Sequence, residues 1–177
     1  MRKIKWIVLL FVFSLIVPTQ VLASAENTSL PKPGILPGNL FYGLDSLMEK
    51  VQVGLTFNPL MKADLLDKIA GERLAESEAL VQKDKLELGQ ETLTKYQDTV
   101  NQMLEIVSKE ILKGTDVTET INKIYDSSQN HNAVLEEIYA SLPTEQADTI
   151  QKNLDTVEYI KNANELYNQE IPVGDRL

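Results

Sequence analysis

The groups best suited to chemistry are one histidine, a few neighbouring acids and a set of tyrosines. His131 is the single histidine, and the chain has no cysteine. A zinc site would therefore draw almost all its ligands from carboxylates, a donor set that suits zinc poorly. The HExxH spacing is absent, because Glu136 lies five residues after His131. His131 falls on an apolar stripe, which points to a partly buried, hydrogen-bonded side chain rather than a ligand or pH sensor. Glu136–Glu137 and Glu76 with Glu78 are the acid pairs that a glycosidase would recruit. That reaction needs one acid of raised pKa in a cleft and a second carboxylate facing it. Here the acids fall on the polar faces of helical segments, where solvation is expected. Tyr96, Tyr125, Tyr139, Tyr159 and Tyr167 recur on or beside apolar stripes. A sugar- or peptide-binding surface uses such residues, but so does a helix interface that keeps the hydroxyl at its rim. No GxSxG, P-loop, dinucleotide fingerprint or EF-hand loop occurs. The sequence thus assigns no catalytic, cofactor-binding or metal residues and implies no cofactor. The expectation is a protein that is not an enzyme.

The elements that carry these groups follow from periodicity. Met1 to Lys5 holds three positive charges, Trp6 to Val17 is apolar apart from Ser14, and small residues follow at Ala23-Ser24-Ala25. That order predicts a signal peptide over 1–25, with 23 as an alternative end. The apolar run is shorter than the roughly 18–20 residues of a spanning helix, so no stable membrane span is expected after cleavage. Residues 26–38, with prolines at 31, 33 and 37, read as a flexible linker. A single helical domain is expected over 39–170, and a disordered tail over 171–177.

Within that domain, Leu40, Leu44, Leu47, Val51 and Leu55 are spaced by three and four, which predicts a short first helix. Asn58-Pro59 is a start signal for the second, whose stripe is Leu66, Ile69, Leu74, Ser77 and Leu80 or Val81. Asp84 with Glu87, and Asp116 with Glu119, form capping-box patterns for the third and fourth. The third seam is Leu93, Tyr96, Val100, Met103 and Val107, with Leu104 and Ile111 alongside. The fourth is Val117, Ile121, Ile124, Ser128, His131, Leu135, Ile138 and Leu142. After Pro143, a fifth helix opens on Ala147, Ile150, Leu154 and Val157. Almost nothing alternates with period two. The fold class is therefore all-α: an antiparallel bundle of four long helices preceded by a short N-terminal helix, with shallow, coiled-coil-like crossings.

Composition narrows the function. Removal of the leader leaves 14 basic against 26 acidic residues, a net of −12. Such a field repels phosphate backbones, so no nucleic-acid partner is expected. The missing cysteines exclude disulfides, thiol catalysis and a lipid-modified N-terminal cysteine. The remaining chain is long enough to bury roughly 68–70% of its unfolded surface and so to hold itself by its core.

The stretch LPGNLFYGLDSLMEKVQVGLTFNP, from Leu36 to Pro59, is dense in turn signals and aromatics. Phe41 and Tyr42 are expected to anchor the short helix. Phe57 is expected to plug the end of the bundle, or else to be an exposed contact for a partner. The same stretch, with KADLLDKIAGERLAESEAL and HNAVLEEIYASLPTEQADTIQKNLD, resembles an exported bacterial family of unknown function, DUF5667, over about residues 35–165. Its most specific part is Leu36-Pro37-Gly38, Tyr42, Glu49 and Leu55-Thr56-Phe57. The chain departs from the family pattern at Asn58, commonly Asp, and at Gly71, commonly a helix former. Gly71 is expected to weaken the second helix by about 1 kcal/mol relative to Ala. The resemblance implies export and helices, and no catalytic residue.

Together these readings predict a secreted or extracytoplasmic, non-enzymatic module that binds or assembles in the cell envelope. Its partner would be a protein or another envelope component, and oligomerisation is compatible with the seams. One alternative is an envelope-stress chaperone or sensor holding a peptide between helix pairs, marked by a large exposed apolar patch. Another is a carboxylate-based hydrolase.

Overall fold

The structure is a computed structural model. It describes residues 30–142 and 147–170, with side chains described over 30–142 and 150–167. The expected signal peptide, the expected break at Pro143 and the expected tail lie outside the described residues. Every regular element described is a helix. These are α1 (Tyr42–Leu55), α2 (Pro59–Val81), α3 (Leu86–Leu112), α4 (Thr118–Ser141) and α5 (Ala147–Glu170). The longest packing lies along α2 and α3, followed by α4 with α5 and α2 with α4, and α3 also meets α5.

The main stripes read for α2 to α5 meet in one core. Leu66, Leu74, Leu93, Tyr96, Val100, Met103, Ile124, Leu135, Ile138, Ile150 and Val157 are all buried there. α2 is enclosed on most of its circumference, and its small residues Ala63, Ala70, Gly71 and Ala75 let neighbours come close. Gly71 is the sharpest case. A Cβ there would lie 3.0 Å from Pro31 Cδ and 3.3 Å from His131 Nε2. The expected helix weakness is therefore offset by contact: glycine lets the lead segment lie on α2. Leu30 packs against the core and Pro37 is buried. The described part of the stretch expected as a flexible linker thus covers α2.

Local signals act where their chemistry allows. Leu36-Pro37-Gly38-Asn39 is a turn closed by Asn39 N–H to Leu36 O at 3.1 Å, with Gly38 at φ +90°. Proline at the second position and a positive φ at the third are the type II pattern. Asn58 caps α2 by accepting from Met61 N–H at 3.0 Å, with Pro59 in the first turn. The Asp84 capping box does not form. Asp84 has φ +57° and ends the preceding turn, with Asp84 N–H to Val81 O and Lys85 N–H to Leu80 O. Those two bonds make a Schellman motif, in which aspartate takes the place usually held by glycine. At the next junction Gly114 fills that place. Asp116 does help start α4, accepting from Thr118 N–H at 2.9 Å. Glu119 instead pairs with Lys123 at 2.8 Å.

The first helix overturns its expected orientation. No residue of α1 is buried, and Leu44, Leu47, Met48, Val51 and Leu55 are all exposed. Its half-buried side is Tyr42, Asp45, Ser46, Glu49 and Val53. Phe41 is exposed, and Phe57 is 87% exposed rather than plugging a helix end.

Candidate functional site

The inward side of α1 is polar because α2 meets it with charge. Arg73 and Glu76, three apart on α2, project toward Glu49 of α1. Arg73 Nη1 donates to both Glu76 oxygens, at 2.8 and 3.0 Å, and Arg73 Nη2 donates to Glu49 Oε2. Glu76 is fully buried and Arg73 is nearly so. Asp45 also approaches: a Cβ on Gly34 would lie 3.3 Å from its Oδ2 and 3.2 Å from Glu76 Oε1. Tyr42 lies beside both Arg73 and Lys95, with their cations 5.8 and 5.3 Å from its ring centre.

Two carboxylates thus share one guanidinium, and Asp45 adds a third negative charge beside them. Burial pushes the Glu76 carboxyl up to about 7, against the pull of Arg73, while Glu49 and Asp45 push the same way. Burial also raises Glu49, again opposed by Arg73. Burial works against the Arg73 charge, yet Glu76 and Glu49 together hold its pKa above the ordinary value. A cleft of about 450 Å³ opens beside this cluster between α1, α2 and α3, with Val53, Leu66 and Ile69 on its apolar side and Lys62, Lys95 and Asp98 among its polar lining.

His131 sits elsewhere, 4% exposed, with Nδ1 3.3 Å from Tyr96 Oη and the two rings edge to face at 5.5 Å. Burial pushes its pKa down to about 4. Nearby in chain, Ser127 Oγ donates to Asp67 Oδ1 at 2.7 Å, and burial raises Asp67 to about 6. Ser, His and Asp are all present, but the hydroxyl bonds the carboxylate and the imidazole faces a phenol. Nucleophilic catalysis needs the hydroxyl on the base and the acid behind it.

Of the acid pairs, Glu136 and Glu137 are exposed and Glu78 is half-buried, whereas Glu76 is fully buried rather than solvated. The pairing of Glu76 with Glu78 therefore dissolves. Arg73 and Glu76 at a spacing of three was the visible trace of the true cluster, but nothing local connects it to Glu49. Among the tyrosines, Tyr96 is in the core, Tyr125 and Tyr167 are half-buried, and Tyr139 and Tyr159 are exposed. A second cavity, about 290 Å³, lies between α3, α4 and α5 beside Leu104, Ile121, Tyr159 and Tyr167. Among the described residues no group of three or more His, Cys, Asp or Glu is placed to hold a metal ion, and no helix is long and apolar enough to cross a membrane.

Comparison with known proteins places this arrangement in a family. No curated protein and no solved structure matches the chain. The family model described as "Domain of unknown function (DUF5667)" matches residues 34–145. That span runs from just before the turn that precedes α1 to just past the end of α4, and so contains the inverted helix and its charge cluster. It covers more than half of the 177 residues, and the protein is accordingly a member of the DUF5667 family.

Proposed function

We propose that the protein is an exported, non-enzymatic helical module that binds or assembles with a protein of the cell envelope through the outward face of α1. In this reading the four long helices form an antiparallel bundle and the short first helix is carried on its outside. One observation carries the proposal: Leu40, Phe41, Leu44, Leu47, Met48, Val51, Leu55, Phe57 and Met61 are all exposed, by 46–97%. Nine such side chains offer on the order of 1,000 Å², above the roughly 300–600 Å² of the largest patch on a typical monomer. The leader-like start supports export, and the acidic surface supports a protein partner rather than nucleic acid. The buried acids converge on Arg73 with Glu76 sealed from solvent, which supports a positioning role for them over hydrolysis.

A photo-crosslinking residue at Leu47, introduced into the chain in its native envelope, is expected to capture a protein. One placed at exposed Glu136, on α4, is not. Equal capture at both positions, or none at either, would overturn the assignment. N-terminal sequencing of the accumulated protein tests export, since a retained Met1 contradicts processing at Ala23 or Ala25.

The chaperone or sensor reading has its own observation, the apolar cavity between α3, α4 and α5. Protection of a model client from aggregation, abolished by Tyr159→Glu but not by Met48→Glu, would favour it.

A further inference from the structure

We propose that the occupant of the α1 face is a second copy of this chain, the two first helices packing against each other across a two-fold axis. The inference rests on the reading of α1 as a docking face and names its partner. Phe41, Leu44, Met48, Val51 and Leu55 are spaced three, four, three and four, with Leu40 and Leu47 widening the stripe. A seam of that spacing is complementary to another helix with the same repeat. The stripes of α2, α3 and α4 are already buried against one another, as are Ile150, Val157 and Ile160 of α5. A second α1 supplies a matching unpaired stripe, and a two-fold contact uses the same patch twice.

Area and charge agree with that occupant. The patch, on the order of 1,000 Å², meets the roughly 800 Å² per partner that a stable interface buries. The chain is strongly acidic, which opposes self-association over most of its surface. The outward residues of α1 include no acid: besides the apolar side chains they are Gly43, Lys50, Gln52 and Gly54. Asp45 and Glu49 are turned inward toward Arg73 and Glu76 instead. The charge cluster thus does two things at once. It holds α1 by its polar side, and it removes the helix's own carboxylates from the contact between copies. Met48 and Met61 add side chains that adapt readily to an apolar partner surface.

Sedimentation equilibrium of the protein, expressed with its leader and purified in the form that accumulates, tests this. The expected mass is twice that of the chain, with association strengthening as salt screens the acidic surfaces. Met48→Glu with Val51→Glu is expected to give the single-chain mass with unchanged circular dichroism. Because the chain has no cysteine, Met48→Cys alone is a second test: mild oxidation should link two copies, whereas cysteine at exposed Lys109 should not. A parent that stays at single-chain mass up to its solubility limit overturns the dimer, as does a dimer that survives the double substitution. If the parent is single-chain but the Leu47 crosslinker captures a different protein, the dimer falls and the docking face stands. If it captures none, both fall.

Discussion

Glu76 has no exposed surface and Arg73 keeps only 5% of its own, so their contact is weak support for stability by itself. Taking both charges out of water offsets most of their attraction, while removing one partner strands the other. The pKa of Glu76 carries the sign of the effect. Its folded value, about 7, lies above the ordinary 4.5. The folded state therefore holds the proton more tightly, and this contribution is complete below about pH 4.5 and lost as pH rises through about 7. Glu76→Gln keeps an acceptor for Arg73 but cannot ionise. Its melting temperature should fall less than the parent's between about pH 5 and pH 8. Parallel curves for parent and variant would show that Glu76 does not titrate in that window.

Among the helices, α1 behaves unlike the four that follow it. Its corner residue Phe57 is 87% exposed, while Leu74 on α2 is fully buried. In the Met48→Glu, Val51→Glu background, where the chain is single, Phe57→Ala should change stability by no more than about 0.5 kcal/mol, as surface substitutions do. Leu74→Ala should cost about 2–5 kcal/mol. Comparable losses in chemical denaturation would mean that Phe57 is packed in solution. α5 holds a different anomaly. Asn153 is fully buried, and neither amide atom has a hydrogen-bond partner among the described residues. An unpaired buried amide costs about 1–3 kcal/mol, and an apolar group of similar size removes that cost. Asn153→Leu should therefore raise the melting temperature, and a fall would reveal a partner for the amide.

Across the whole molecule, the titrating groups oppose one another. Asp67, raised to about 6, acts in the same direction as Glu76, contributing at low pH and losing its effect as pH rises from 3.8 through about 6. His131 acts the other way. Its folded pKa is about 4 against 6.5, so its stabilising share is present above 6.5 and lost as pH falls toward 4. Self-repulsion of a chain with excess acid also grows with pH. The parent should melt higher near pH 6 than near pH 8. His131→Gln should flatten the acid side of the curve relative to the parent. A melting temperature that rises steadily from pH 6 to pH 8 would contradict both the carboxylate directions and the charge argument.

Much of the architecture was legible in the chain. Spacings of three and four located five helices, because a helix must gather its apolar residues on one side whatever covers them. Asn58-Pro59, Pro37-Gly38 and Gly114 acted locally, through backbone angles and hydrogen bonds that need no distant partner. Asp84 went the other way, because an aspartate that can cap a helix can also adopt the positive φ that ends one, and the residues around it do not choose. The direction in which α1 faces came instead from long-range packing. Periodicity says that a stripe is apolar, but burial has no direction of its own. The outcome depended on what α2 presents at that place, and α2 presents Arg73 and Glu76. Glu49, 24 residues before Arg73, completes their cluster, so the polar side of α1 turned inward and the apolar stripe was left outside.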